Sequence, residues 1–366
     1  MPAETPQGVP ESVVFAKFSG LKNTVSRERL HADELAVAVN VDFDDAGQPH
    51  RRRGRRRVAT GYFHSLWTSN DGTVYGVKDG SFGIIEPDYF FTDLGRTVGD
   101  SPLCYEQVGD EVFFSGEYAS GVVTHPTGVV EDWGPSQSFW WSPVDNPSDT
   151  LPAIKGKLLG APPQASAMVY YNGRIYIAAG KMLWATVFQQ YHHVDKTRGF
   201  IQFEDDITMV LAVSDGLYVG TRSGVYFMQG GSFEKLQRRR VMDSGVLSGS
   251  GIPIPAELAN PPQEGIDKDE PMSVSAAFFT TNGFCVGQES GKCTNLTEGN
   301  FFFPTSLRAT AFFRRQDGMN HYVVCLAHGG DPTSNARFGY VDVALIRDKD
   351  HWVTVSDTAK ATEQYS

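Results

Sequence analysis

Six times along this chain an apolar run meets a Gly-, Asp- or Asn-containing turn, passes into a second β-branched or aromatic run, and turns again. The clearest copy is MVLAVSDGLYVGTRSGVYFMQG, from Met209 to Gly230, with turns at Asp215-Gly216 and Ser223-Gly224. Related copies surround Tyr75, Phe113, Tyr176, Cys285 and Tyr322. Such turn residues supply positive φ between runs that alternate with the period of a half-buried strand. From anchor to anchor the steps are 38, 63, 42, 67 and 37 residues, against roughly 40 for four strands and their turns. The spacing predicts an all-β chain folded as a six-bladed β-propeller. A pair of β-sandwiches or a β-helix would share the turn chemistry and is the competing fold.

The two long steps locate two inter-blade insertions, 134–163 and 241–271, both rich in Pro, Ser, Gly and Asp. The expected organisation is therefore an N-terminal extension over 1–59, a propeller over 60–346 carrying both insertions, and a C-terminal tail over 347–366. One helical patch is expected, Ser26 to Ala38, with Leu30, Leu35 and Ala38 on roughly one face. No run of 18 apolar residues is present, so no membrane insertion is expected. The N-terminus lacks the basic and apolar regions of a secretory signal. The four cysteines, Cys104, Cys285, Cys293 and Cys325, lack metal-finger spacing and read as buried free thiols of a reducing compartment.

Charge is unevenly placed. The net charge is −11, yet Arg51, Arg52, Arg53, Arg55, Arg56 and Arg57 fall within seven residues. Removing them leaves 26 basic against 43 acidic residues, a balance of −17. An anionic body does not suit tight gripping of duplex DNA, where phosphate contacts dominate affinity. It suits a surface that DNA slides past. The arginines are candidates for the DNA path or for a subunit interface.

Other groups carry less. Adjacent His192 and His193 point to opposite faces of a strand and cannot share one ion there. Glu204, Asp205 and Asp206 sit at a strand entrance, where a polar turn is expected. Thr68 to Thr73 is a weak likeness of the sialidase Asp-box, itself a structural turn. Asn295 opens a glycosylation sequon by pattern only. Phe139, Trp140 and Trp141 are candidate partner contacts, or a small core of their own loop. With no phosphate loop, nucleophile elbow or HExxH motif, no catalytic residue, metal or cofactor is expected, and the chain does not read as an enzyme.

The segment FSGLKNTVSRERLHADELAVAVNVDFDDAGQPHRRRG resembles the opening of phage virion proteins of the tail nozzle, tail-hub or DNA-stabilisation type. Gly20, Leu21, Ala38, Asn40, Val41, Asp42, Asp44, Gly47, Arg52, Arg53 and Gly54 carry the match. The phrases DDITMVLAVSDGLYVGTRSGVYFMQG and RATAFFRRQDGMNHYVV are similar to recurrent phrases of the same proteins. The resemblance implies a structural subunit of a short-tailed bacteriophage virion, made in the bacterial host cytoplasm. Its copies would form a homo-oligomeric ring, a hexamer in the well-known examples, below the portal and adaptor and beside other tail proteins. Genomic double-stranded DNA would be retained in the lumen and conducted through it at ejection. Members of that class are often larger, with further platform and fibre-binding domains for which 366 residues leave little room. The alternative from another class is a β-propeller that binds or hydrolyses glycans.

Overall fold

The computed structural model describes residues 18–36, 38, 41–43, 48–51, 57–141, 156–259, 274–300, 306–316, 319–328, 338–344 and 353–357. With 55 % strand and 4 % helix the chain is all-β, and its arrangement is propeller-like. Among the described residues six sheets of four or more strands follow one another. The first runs through Phe63–Thr68, Val74–Lys78, Ser81–Ile85 and Phe91–Thr97. The second runs through Cys104–Val108, Glu111–Ser115, Ser120–Thr124 and Val129–Glu131. The fourth is Ile207–Val213, Gly216–Thr221, Val225–Gln229 and Gln237–Met242, and the fifth Ile252–Pro255, Val274–Thr280, Gly283–Gly287 and Cys293–Asn295. The six anchors fall one to a sheet.

The expected six regular blades are corrected to four. Two sheets depart most from the four-stranded pattern. The third has seven strands, because Met182–Val187 pairs with both Gln190–Asp195 and Phe200–Gln202 across a bulge at Thr186 and Val187. Two short strands, Phe139–Trp140 and Leu158–Gly160, extend its margin. The sixth has strands of 11 and 10 residues, Ser306–Gln316 and Met319–His328, followed by Phe338–Ala344 and Val353–Asp357.

Face-to-face burial of alternating apolar residues holds the sheets together. Tyr75, Phe82, Tyr105 and Phe114 join the first sheet to the second. Phe113, Trp133, Met168 and Ile177 join the second to the third. Tyr176, Leu183, Leu217 and Tyr226 join the third to the fourth. Tyr218, Phe227, Phe278 and Cys285 join the fourth to the fifth, and Phe279, Phe284, Tyr322 and Val324 join the fifth to the sixth. Among the described residues no such cluster joins the sixth sheet to the first. No helix among them is long and apolar enough to cross a membrane.

The anchor tyrosines are also polar clasps. The Tyr218 hydroxyl lies 2.6 Å from the Gln288 carbonyl and 2.9 Å from that of Lys292, both at the fifth sheet. Tyr322 donates to the Ser250 carbonyl at 2.6 Å. Replacing Tyr218 by Phe keeps the ring and removes the hydroxyl that both carbonyls share, so it should cost about 1–2 kcal/mol. Chemical denaturation of the two proteins checks this, and an unchanged midpoint would remove the clasp from the account.

Several expectations about the ends and the long steps change. Ser26 to Ala38 is not a helix: Arg27–Arg29 is one 3-10 turn, and Glu34–Leu35 pairs in parallel with Gly20–Leu21. The N-terminal region carries a second small sheet, Val41–Phe43 with Pro49–Arg51. The 241–271 step is partly sheet, since Val241 and Met242 end the fourth sheet and Ile252–Pro255 opens the fifth. Pro253 and Pro255 hid that strand; they are tolerated because it is the sheet's edge. Residues 142–155 and 260–271 lie outside the described residues. Within the expected tail, Val353–Asp357 pairs as the last strand of the sixth sheet.

The N-terminal sheets pack on that last strand. Leu21, Ala38 and Phe43 form their own apolar cluster. Asp42 pairs with Arg314 at 3.2 Å. Arg314 also reaches His321 Nδ1 at 2.6 Å, and His321 Nε2 lies 3.3 Å from the Phe43 carbonyl. A guanidinium only donates, so Nδ1 accepts and Nε2 carries the proton toward Phe43.

Candidate functional site

The first sheet has one face buried against the second and one face open. Three features of the sequence make the open face. Gly76 has no side chain, and a Cβ there would stand 2.7 Å from the Leu66 Cδ2. Gly83 is bare in the same way, with the Phe91 Cζ 2.6 Å from where its Cβ would be. Both absences let large apolar groups lie flat across the strands. The third feature is chain order: Arg57, Val58 and Ala59 run along the rim as they enter the first strand.

The result is a groove of about 880 Å³ walled by Val58, Phe63, Leu66, Val74, Ile85 and Tyr89. Three of its apolar groups remain largely in solvent: Leu66 is 60 % exposed, Tyr89 53 % and Val58 49 %. Contiguous exposure of this kind marks interaction surfaces rather than ordinary monomer surface. A shallower hollow beside it is lined by Arg57, Lys78, Phe90 and Phe91. There the Lys78 Nζ stands 5.6 Å from the Phe63 ring and 5.8 Å from the Phe91 ring, which meet edge to face at 6.2 Å.

Two carboxylates, Asp71 and Glu86, also line the groove. Asp71 belongs to the turn Thr68 to Thr73. Ser69 and Thr73 donate their hydroxyls to its carboxylate, and His125 Nε2 lies 2.8 Å from it. The Ser69 bond first, then those from Thr73 and the nearby imidazole, bring the carboxyl down to about 2. His125 Nδ1 faces the Tyr75 hydroxyl at 3.2 Å. This chain of contacts ends on a buried phenol whose ionisation burial opposes. It clasps the first two sheets and offers no nucleophile to the groove.

The two ends of the arginine run stand apart. Arg51 is exposed on the second small sheet, and Arg57 lines the groove with its Nε donating to the Ala59 carbonyl at 3.0 Å. Arg52, Arg53, Arg55 and Arg56 lie outside the described residues. The aromatic trio separates: Trp141 is buried against Leu159 and Val187, whereas Phe139 and Trp140 stay exposed at the margin of the third sheet.

Other candidates resolve into structural contacts. His192 reaches Glu111 at 3.0 Å, while the His193 ring meets Phe139 edge-on. Asp206 pairs with Arg222 at 3.3 Å, and the Asp205 carboxylate accepts from the Asp206 N–H. The Asn295 amide bonds Asn282 and Thr297. All four cysteines are free, and burial raises the thiols of Cys104 and Cys293 to about 12. Among the described residues no group of three His, Cys, Asp or Glu side chains is placed to hold a metal ion.

Sequence reasoning missed the groove, because HSLWT and SFGII read as ordinary strands whose open face no local pattern reveals. It also passed over Arg238, Arg239 and Arg240 on the outermost strand of the fourth sheet. Arg238 donates to the Gln202 carbonyl and stacks over Phe203 at 5.0 Å, and Arg239 donates to the Ser290 carbonyl. These guanidiniums tie the fourth sheet to both neighbours, and the charge on an edge strand opposes pairing with another chain.

No family model matches the chain, and no curated protein does. Solved structures are similar at the level of the fold. The extracellular domain of a protein described as the one component system BT4673 from B. thetaiotaomicron is 10 % identical over 76 % of this chain, with a TM-score of 0.45. This chain spans 33 % of that one. BBS1N, solved in complex with ARL6DN, is 8 % identical over 86 % of this chain and 83 % of its own, with a TM-score of 0.43. Kluyveromyces lactis Hsv2 is 8 % identical over 81 % of this chain and 98 % of its own, with a TM-score of 0.38.

Proposed function

We propose that the chain is a structural subunit of a phage virion, a tail nozzle or hub protein rather than an enzyme. Six copies form a ring below the portal and adaptor, and the sheets of each copy build its wall. The ring retains genomic DNA and conducts it at ejection. One observation carries this reading. Two of the phrases that resemble such proteins, NVDFD and RATAFFRRQDGMNHYVV, meet in space through Asp42 and Arg314 and through Phe43 and His321. Loose motifs far apart in sequence thus acquire a shared physical reason, the docking of the N-terminal sheets on the last one.

A second reading, a glycan-binding propeller, is favoured by the aromatic groove with Asp71 and Glu86 in its lining. Negative-stain micrographs of the purified protein separate the two. Rings of uniform size are expected. A monomer whose melting temperature rises with added saccharide would overturn the virion reading in favour of the glycan one.

A further inference from the structure

We propose that the docking of the N-terminal sheets on the sixth sheet is an acid-released latch, with His321 as its proton sensor. The imidazole is buried in that interface, 2 % exposed. Its two nitrogens play opposite parts. Arg314 donates to Nδ1 at 2.6 Å, and Nε2 donates to the Phe43 carbonyl at 3.3 Å. A guanidinium has no lone pair to offer, so the first contact exists only while Nδ1 keeps its own. A second proton on the ring takes that lone pair and sets an imidazolium against a guanidinium.

Asp42 does not offset the new charge, because its carboxylate already lies 3.2 Å from the same guanidinium. With a neutral ring the trio holds one cation and one anion. With an imidazolium it holds two cations and one anion, away from water, where unpaired charge is costly. The surrounding elements keep that balance. On the flanking strand Ala344 stands opposite His321 and brings no charge, and Asp342 stands one position removed, opposite Val323. In the second small sheet His50 stands opposite Asp42 and is exposed.

When the N-terminal sheets lift away, Arg314 swings into water and His321 is hydrated, so the released state takes the proton more readily than the docked one. Docking is therefore at full strength above the ordinary imidazole value, about 6.5, and weakens as pH falls below it, by up to about tenfold per pH unit for one proton. Loss of the Asp42 carboxylate acts in the same direction but belongs to the range near about 3.9 and below. The two effects thus occupy separate windows.

The test is hydrogen exchange at about pH 7.5 and about pH 5.5, expressed as protection factors so that the intrinsic pH dependence of exchange divides out. Peptides covering Gly20–Leu21 and Val41–Phe43 should lose about tenfold in protection at the lower pH, while Gly216–Thr221 in the fourth sheet should not change. His321→Gln keeps a neutral acceptor for Arg314 and should make the response flat. His50→Gln, at the other imidazole of this corner, should leave it as in the parent. Replacing a buried group can also undo the docking outright, so the wild-type ring is followed directly by NMR with isotope-labelled histidine. Its signal should report the neutral Nε2–H form at about pH 6 and convert only as the N-terminal peptides lose protection. An imidazolium at His321 beneath sheets that are still protected overturns the latch. So does wild-type protection that ignores pH, or a His321→Gln response as steep as the parent's. A loss spread evenly over every sheet would be general acid unfolding and overturns it as well. None of these failures touches the virion reading, which stands or falls on the rings.

Discussion

Phe284→Ala should destabilise the protein by about 3–5 kcal/mol, and the damage should be concentrated at one end of the molecule. Phe284 is fully buried, 4.6 Å from the Tyr322 ring and 5.9 Å from the Phe279 ring. The Tyr322 contact crosses from the fifth sheet to the sixth, and the Phe279 contact lies within the fifth. Removing the ring deletes apolar area and leaves a cavity that the flanking strands cannot fill without breaking register. Hydrogen exchange should therefore quicken first along Met319–His328, before the fourth sheet responds. An exposed control, Trp140→Ala, should stay within about 0.5 kcal/mol of the parent. Uniform loss of protection over all six sheets would show that the sixth does not hang on this junction.

Glu106→Gln is expected to act in the opposite direction, and chiefly above neutral pH. Glu106 lies on the first strand of the second sheet, and its carboxylate accepts from the Tyr170 N–H of the third. Burial raises its carboxyl from 4.5 to about 7, against the smaller lowering effect of that bond and one from Gln107. Below pH 4.5 both folded and unfolded chains hold the proton, and the group is neutral to stability. Between 4.5 and 7 the unfolded chain ionises first, so stability falls as pH rises. Above 7 both forms are ionised and the full cost is present. Glutamine removes that decline, so the variant should gain about 1–3 kcal/mol over the parent at about pH 8. At about pH 4 the gain should be close to nothing. Denaturation midpoints at the two pH values check this, and equal gains at both would mean that the carboxylate is not penalised by its site.

Much of the architecture is readable locally because its cause is local. Asp79-Gly80 and Asn172-Gly173 hold positive φ at both positions, as their two-residue turns require. Tyr75, Tyr218 and Tyr322 are fully buried, because an aromatic between two turns has nowhere to go but a sheet interface. What escaped notice depends on partners distant in sequence. Ile252–Pro255 becomes a strand only because Val274–Thr280 lies beside it. Val353–Asp357 reads as tail until the sixth sheet accepts it. The groove is harder still, since Leu66 and Phe91 are unremarkable in their strands. Only the missing neighbour makes their face a site.

The docking of the N-terminal sheets has a consequence in time. Gly20–Leu21 and Val41–Phe43 leave the ribosome long before Val353–Asp357, the strand on which their sheets dock. At about 5–20 residues per second, more than 300 residues of synthesis keep them waiting for roughly 15–65 s. The middle sheets need only neighbours made moments earlier, so they can form in order of emergence. The beginning of the chain meanwhile displays its apolar cluster with no lasting place to put it. Correct folding then favours a nascent chain that is shielded early or finished quickly, and a ribosome stalled late in the message should yield a core already structured behind an unsecured leading end.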